Sequence, residues 1–255
     1  MLKKTFTRIP WLGLISVTAG LAAWWMIARY GGLPRFIFPG PYDVWMSFIK
    51  TLKNGTLLYH ISVTLTEVVL GLLIGVTFAT VVGYSLAKSR TLEKILSPYL
   101  VASQAIPIVA IAPLLVIWLG NGILSKVLIC ALIVFFPVLV NTIVGVRAVP
   151  IALYDLMNSV RATRWQILLK LEFPAALPIL LGGLRIGATL SVIGAIVGEL
   201  VNAQEGLGYL LQLGDFQYDT SMVYVAVFAL IFLALGLYGI VAWIERKFLI
   251  WQETK

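Results

Sequence analysis

Six long apolar runs constrain this sequence more than any other feature. A helix needs about 20 residues, at 1.5 Å each, to cross about 30 Å of hydrocarbon. The runs show no alternation with a period of two, so spanning helices are expected rather than a membrane barrel. We therefore predict an all-α polytopic membrane protein, a single transmembrane domain over residues 1–255, with spans at residues 11–28, 62–87, 96–119, 123–146, 177–200 and 222–244.

Composition supports lipid as the natural solvent of this chain. It is 60% hydrophobic and only 12% charged, which is too little charge to cover a soluble domain of this length. The net charge of +8 is expected from basic residues beside cytoplasmic span ends, so no nucleic-acid partner is predicted. Cys130 is the single cysteine and His60 the single histidine, so neither a metal nor another cofactor is expected.

The basic residues also predict the orientation. With the amino terminus inside, the inner segments hold most of the 19 lysine and arginine residues, and the outer connection 201–221 holds none. This bias favours a multi-pass protein of the bacterial plasma (inner) membrane with both termini in the cytoplasm. Lys3 and Lys4 precede the first run as in a signal peptide. That run is near bilayer length and ends at Trp24 and Trp25, which indicates a retained anchor.

Two amphipathic segments lie between the spans. Residues 41–57 are expected to form a helix along the outer interface. Residues 150–173 lie on the cytoplasmic side, where polar residues alternate with apolar ones at helical spacing. Pro174 and Pro178 are expected to end this element and begin the next span. An amphipathic cytoplasmic segment in the middle of a span bundle needs a binding partner.

The cytoplasmic segment resembles that of the inner-membrane permeases of binding-protein-dependent ABC importers. Their motif has the form E-A-A-x3-G-x9-I-x-L-P, and Asp155, Arg161 and Pro174 fall at its spacing. The resemblance implies that this segment docks on a separate ATPase and moves with it. The residues it assigns to ATPase coupling are Asp155, Leu156, Met157, Arg161, Arg164, Trp165 and Pro174.

Arg161 occupies the glycine position of this motif. Glycine permits a sharp turn between two helical pieces, whereas a left-handed conformation is costly for arginine. Arg161 is therefore expected either to adopt a regular helical conformation or to place its charge against an acidic patch of the ATPase.

Further segments resemble one subfamily of these permeases. They are Phe38-Pro39-Gly40-Pro41, Phe135-Phe136-Pro137, Arg164-Trp165-Gln166-Ile167 and Gly206-Leu207-Gly208. The subfamily includes permeases for taurine, alkanesulfonates, nitrate, thiamine precursors and riboflavin. The resemblance implies a homodimer of two permease copies, two ATP-binding-cassette ATPase subunits and an extracytoplasmic solute-binding protein. The chain has no G-x-x-x-x-G-K-[S/T] phosphate loop, so it is expected to be non-catalytic.

Polar residues inside the spans are candidates for the solute pathway: Gln104, Asn141, Glu199 and Glu67. A charge at mid-bilayer costs about 2.5–3.5 kcal/mol, so each carboxylate should lie near a span end, be paired or face water. Hydrogen bonding between helices is the alternative interpretation. Arg185 is expected near the cytoplasmic end, where its side chain can extend to water. The spans carry little positive charge, which tilts the expected solute toward riboflavin or a thiamine pyrimidine, with a sulfonate or nitrate-type anion as the alternative.

Glycines mark two further features. Gly183, Gly187, Gly194 and Gly198 share one face of the fifth span and predict close helix packing, with a sliding face during transport as the compatible alternative. Gly206-Leu207-Gly208 is expected to form a turn or a re-entrant segment that closes the pathway on the outside, with a plain connecting loop as the alternative.

Two other classes of protein compete with the importer. An ion-driven secondary transporter or channel would show broken helices in paired inverted repeats, which this sequence does not display. A membrane anchor without transport would not need the cytoplasmic motif at its observed spacing.

Overall fold

The computed structural model describes residues 10–249, and over that range it contains helices and no strand. The α-helices are α1 (Pro10–Tyr30), α2 (Pro41–Lys53), α3 (Thr56–Lys88), α4 (Arg90–Gln104), α5 (Ile108–Leu119), α6 (Ile123–Arg147), α7 (Ile151–Ser159), α8 (Arg164–Ile167), α9 (Phe173–Glu199), α10 (Leu207–Phe216) and α11 (Thr220–Phe248). A π-helical segment, Leu168–Glu172, joins α8 to α9. The predicted all-α fold class is confirmed.

Four helical runs within the described residues are long and apolar enough to cross a membrane: α3, α6, the run from α8 through α9, and α11. Each contains one of the predicted spans, at least in large part. A fifth is obtained if α4 and α5 together form one bent span. The first predicted span, residues 11–28, lies within α1 but is not among these four or five. A total of six spans therefore stays a prediction.

The predicted third span, residues 96–119, is not one straight helix. α4 and α5 meet at an angle of 93°. Pro107 is the N-cap of α5, and proline has no backbone N–H and disfavours a helical conformation in the residue before it. Pro113 lies inside α5 without ending it. Pro107 thus separates the predicted third span into two helices.

The second part of the segment predicted to be cytoplasmic and the span after it form one continuous helical run, Arg164–Glu199. The expectation that Pro174 and Pro178 end this element was wrong. Within Leu168–Glu172 the helix widens, and Phe173 donates its N–H to the carbonyl of Leu168, five residues earlier. A proline ring clashes with the carbonyl four residues before it in a regular α-helix, and the wider π turn directly before Pro174 changes that spacing.

Contacts divide the chain into two compact units. One comprises the described residues up to Tyr59 together with Leu210–Phe228. In this unit the Trp24 indole donates a 3.0 Å hydrogen bond to the carbonyl of Pro39 and stacks on the ring of Tyr224, with centroids 5.5 Å apart. The description of the whole chain as a single domain stays a prediction.

The other unit comprises His60–Tyr209 and the described residues from Ala229 onward, and its core is the packing of α6 on α9. A Cβ added at Gly194 of α9 would lie 2.7 Å from the Cα of Cys130 on α6. The same close approach to α6 holds along the predicted glycine face, at Gly183, Gly187, Gly194 and Gly198. Close packing through this face is confirmed, and its sliding during transport stays a prediction.

Candidate functional site

The predicted coupling segment places apolar side chains on an exposed surface. α7 is too short to cross a membrane and has no buried residue. Leu156 is 60% exposed, and Val160 and Trp165 are each 68% exposed. Asp155 and Arg164 are also exposed, so this surface combines charge with apolar area. Contiguous exposed apolar area of this kind is typical of a surface that binds another protein or a membrane.

The turn after α7 is held by backbone hydrogen bonds. Arg161 has a φ of +53°, in the left-handed region. Ala162 donates its N–H to the carbonyl of Met157, and Arg161 donates to Asn158, each over 2.9 Å. This pair of bonds is the Schellman motif that ends many helices, usually with glycine at the left-handed position. The expectation of a regular helical conformation for Arg161 was wrong, because the turn imposes the glycine geometry on arginine.

The next helix, α8, has Thr163 as its N-cap, two residues after Arg161. The N–H of Gln166 donates a 3.3 Å bond to the Thr163 hydroxyl, and the N–H of Thr163 donates a 2.8 Å bond to the Gln166 side chain. This reciprocal capping fixes the start of α8. Arg164 and Trp165 follow in its first turn, next to α7. Pro174 lies further on, half-buried in the first turn of α9.

A buried carboxylate lies behind α7. Glu172 is 1% exposed. Its carboxylate accepts a 2.8 Å hydrogen bond from the hydroxyl of Tyr84 and a 2.9 Å hydrogen bond from the hydroxyl of Tyr154. It also forms an ion pair with Lys88, whose ammonium lies 5.1 Å from the centroid of the Tyr154 ring. Burial and the hydrogen bond to Glu172 raise the pKa of Tyr154 to about 12, so this hydroxyl remains a donor at neutral pH. Sequence reasoning missed this cluster, because Glu172 occupies the unspecified position of I-x-L-P in the motif.

A second buried cluster joins two of the predicted pathway residues. Glu199 is 0% exposed and Glu67 is 2% exposed. The Glu199 carboxylate accepts a 2.6 Å bond from the hydroxyl of Thr64 and a bond from the N–H of Gly208. The Glu67 carboxyl group lies close enough to Glu199 for the two to interact.

The loop between α9 and α10 is fitted around this cluster. Gly206 donates its N–H to Nδ1 of His60 over 3.0 Å, and Leu207 donates to the Thr64 hydroxyl over 2.8 Å. Gly206 has a φ of +101°, and the Glu199 carboxylate occupies the space that a Cβ at Gly206 would fill. The predicted turn at Gly206-Leu207-Gly208 is therefore a structured element, and its glycines are required by the proximity of Glu199.

A polar cavity opens beside this cluster. Its volume is about 440 Å³, and the residues that line it include Ser62, Thr66, Glu67, Asn121, Lys126 and Glu205. Lys126 is 5% exposed, and its ammonium donates a 2.7 Å bond to the carbonyl of Asn121. The Lys126 ammonium is thus held against backbone oxygen at the wall of this cavity. Within residues 10–249, no group of three His, Cys, Asp or Glu side chains is arranged as metal ligands.

The other two predicted pathway residues lie elsewhere. Gln104 is the last residue of α4 and is exposed beside the bend. Asn141 packs against Gly183, which lies about 24 Å along α9 from Glu199 at 1.5 Å per residue. Asn141 also donates a 2.7 Å bond to the carbonyl of Pro137. The structure thus brings Glu67 and Glu199 together and leaves Gln104 and Asn141 apart from them; their place on a pathway stays a prediction.

Arg185 has partners within the bundle. Its guanidinium forms an ion pair with Glu245 of α11 and lies 3.3 Å from the hydroxyl of Tyr238. The Arg185 side chain was expected to extend to water near the cytoplasmic end, and the ion pair with Glu245 was not foreseen. Sequence reasoning missed Glu245, although a carboxylate at the end of the last apolar run was a signal for it.

Comparison with known proteins supports the predicted resemblance. Residues 69–250 match the family model described as the binding-protein-dependent transport system inner membrane component. The chain is 40% identical to the riboflavin transport system permease protein of Chloroflexus aurantiacus, over 98% of this chain and 95% of that protein. It is 34% identical to the formylaminopyrimidine transport permease protein of Halalkalibacterium halodurans, over 92% and 93%. It is 33% identical to the taurine transport system permease protein of Escherichia coli, over 85% and 82%.

Proposed function

Because the chain belongs to the family of binding-protein-dependent transport system inner membrane components, we propose that it is the membrane-spanning subunit of an ATP-binding-cassette importer. ATP hydrolysis takes place in a separate ATPase subunit, and this chain is a non-catalytic permease. It works as a multi-pass protein of the bacterial plasma membrane with both termini in the cytoplasm, as the distribution of basic residues favours.

The surface formed by α7 and α8 is the ATPase contact in this proposal. Its exposed apolar side chains, with Leu156 and Trp165 at its centre, are the single observation that carries the argument. Leu156 lies on α7, which is too short to cross a membrane, and Trp165 follows the turn that backbone bonds hold at Arg161. A rigid, exposed and partly apolar surface is suited to docking in a cleft of a partner, since little conformational entropy is lost on binding.

A second copy of this chain completes the membrane part. The bend between α4 and α5 exposes Gln104 and the start of α5, whose N-cap Pro107 offers no side-chain acceptor or donor. If α4 and α5 together form one span, this irregular backbone lies at membrane depth, where it must face protein or water rather than lipid. A homodimer with a central pathway supplies both a protein surface and water for this backbone to face. An extracytoplasmic solute-binding protein delivers the solute to it.

The pathway passes Gln104 and Asn141 and closes at its outer end near Glu67 and Glu199. Gln104 and Asn141 are supported by their uncharged polar groups, and the two carboxyl groups by their position beside the polar cavity. Replacing Gln104 or Asn141 by alanine should reduce uptake while leaving assembly with the ATPase intact. Wild-type uptake by both variants would remove these residues from the pathway.

The solute is a planar heteroaromatic vitamin or vitamin precursor, such as riboflavin or a thiamine pyrimidine. Relatives named for riboflavin and formylaminopyrimidine transport support this class. Lys126 of α6 donates hydrogen bonds to backbone oxygens, and Arg185 of α9 forms an ion pair with Glu245. A sulfonate or nitrate-type anion is the second candidate, which the relative named for taurine transport favours.

Affinity purification of the full chain from its host membrane tests the ATPase contact. Wild-type protein should retain an ATP-binding-cassette ATPase, and the double variant Leu156→Ala, Trp165→Ala should lose it. Trp25→Ala is the matched control, because Trp25 is 51% exposed on α1, away from the coupling segment in the chain. Retention of the ATPase by the double variant would contradict the contact.

Uptake into proteoliposomes tests the solute. The purified complex, with its binding protein and ATP, should accumulate labelled riboflavin or formylaminopyrimidine and should not do so without ATP. Labelled taurine taken up in their place would favour the anion. Uptake driven by an ion gradient with no ATPase present would overturn the importer assignment.

A further inference from the structure

Glu172 connects the exposed docking surface with the membrane helices, and we propose that it is the positioning residue that transmits the movement of α7 to α3 and α9. This inference rests on the proposed function, since it takes α7 as the ATPase contact. It goes further by naming the side chain through which the ATPase acts on the bundle.

Three elements meet at the Glu172 carboxylate. Tyr154 donates to it from α7, while Tyr84 and Lys88 donate from α3. Tyr84 and Lys88 are four residues apart and therefore lie on the same face of α3. Glu172 itself directly precedes α9. A displacement of α7 must therefore move α3 and the start of α9 with it, or break a bond to this carboxylate.

The chemistry of the contact makes breaking such a bond costly. Glu172 is 1% exposed, so water cannot readily replace a donor that withdraws. Hydrogen bonds to an ionised acceptor are roughly twice as strong as neutral ones, and a low local dielectric strengthens them further. No residue of α7 is buried, and Tyr154 is half-buried. The hydrogen bond from Tyr154 to Glu172 is therefore a main anchor of α7.

The backbone at Glu172 is also adapted to movement. Glu172 is the last residue of the π-helical segment Leu168–Glu172, which lies between the docking surface and α9. Single π turns inside α-helices are frequent at functional sites. Conversion of this turn to the α form changes the rotation of Glu172 and α9 relative to α8, so the carboxylate and the start of α9 can move together with α7.

The test measures whether the outer end of α3 responds to ATP. The complex of the full chain with its co-purified ATPase is placed in proteoliposomes, with Cys130→Ala removing the native thiol and Thr66→Cys providing one on the exposed outer part of α3. The rate of labelling by a membrane-impermeant maleimide is compared with and without ATP and vanadate. The variants are Tyr154→Phe and Glu172→Gln, and Tyr99→Phe, on the exposed surface of α4, is the control.

With Glu172 and Tyr154 intact, ATP should change the labelling rate about tenfold, the ratio that a shift of ~1.4 kcal/mol between two states produces. Tyr154→Phe and Glu172→Gln should reduce this change to about twofold or less, while ATP hydrolysis by the complex continues. Tyr99→Phe should keep the full response. A defect of assembly alone would lower ATP hydrolysis and labelling response together, which separates it from a loss of transmission.

Three results would overturn the inference: an undiminished response in Tyr154→Phe, an equal loss in Tyr99→Phe, or no response when Glu172 and Tyr154 are intact. If Glu172→Gln does not assemble, Tyr154→Phe decides, since it removes one hydroxyl and nothing else. Failure of the proposed function is distinguishable, because no ATPase would then co-purify with the chain.

Discussion

The hydroxyl of Thr64 on α3 donates a 2.6 Å hydrogen bond to the carboxylate of Glu199 at the end of α9, across 135 residues of sequence. The same hydroxyl accepts a bond from the N–H of Leu207, so one threonine joins α3, α9 and the start of α10. Glu199 thus holds the loop at Gly206 and the start of α10 at Gly208, which makes this segment sensitive to any added side chain.

Gly206→Ala should destabilise the protein more than Gly120→Ala. Both glycines have positive φ, +101° and +81°, so alanine is strained at either position by ~1–2 kcal/mol. Only at Gly206 does the Glu199 carboxylate occupy the place of the new Cβ, whereas Gly120 has nothing within 4 Å. Thermal unfolding of the purified variants in detergent measures the difference. Equal decreases in melting temperature for the two variants would show that the Glu199 side chain can move aside without a loss of stability.

Gly194→Ala should weaken the packing of α6 on α9. The new Cβ would lie 2.7 Å from the Cα of Cys130, and backbone cannot move aside as a flexible side chain can. We expect a loss of ~1–3 kcal/mol, typical of overpacking a close-packed interior. Gly182→Ala is the matched control on the same helix, with nothing within 4 Å, and should be neutral or stabilising by up to ~1 kcal/mol. Similar melting temperatures for both variants would contradict the close approach.

Arg161→Gly should stabilise the turn after α7. Glycine adopts the left-handed conformation without the cost of ~1–2 kcal/mol that a Cβ incurs. Arg161→Ala removes the charge but keeps the Cβ, so it should show no such gain. The melting temperatures of the two variants separate backbone from charge, and an equal gain in both would assign the strain to the guanidinium. Binding of the ATPase to Arg161→Ala tests separately whether the charge meets an acidic patch.

The ion pair between Arg185 and Glu245 should be recoverable by exchange. Arg185→Glu places two carboxylates together, and Glu245→Arg places two guanidinium groups together, so each single variant should have a lowered melting temperature. The double variant restores opposite charges but loses the contact of Arg185 with Tyr238, so recovery should be partial. A double variant as unstable as the sum of the two single ones would show that the charges do not interact.

The helices could be predicted from the sequence because their signals are local. Apolar runs of bilayer length fixed the positions of α3, α6, α9 and α11 to within several residues. The cytoplasmic motif was recognisable because it depends on spacing along one short segment. The bend at Pro107 also followed from a local rule, since proline removes a donor and restricts the residue before it.

The partners of the buried charges could not be predicted, because they depend on which helices are neighbours. Glu67 and Glu199 were each expected to lie near a span end, to be paired or to face water, yet nothing in the sequence places α3 beside α9. The same holds for Glu172 and its tyrosines, and for Arg185 and Glu245. Local rules also failed where the surrounding structure overrides them: Pro174 does not end a helix after a π turn, and Arg161 takes a glycine conformation in a Schellman turn.

The angle of 93° between α4 and α5 has a consequence for how the protein is made. A straight hydrophobic helix can leave the translocation machinery and remain in lipid alone, but a helical pair with an open corner cannot do so without exposing main-chain polar groups to hydrocarbon. If α4 and α5 form one span, the corner at Pro107 must be covered from the moment it enters the bilayer. Membrane insertion of this chain therefore depends on early contact between this corner and the protein or water that covers it. Newly made chains that lack this contact should be degraded by proteases.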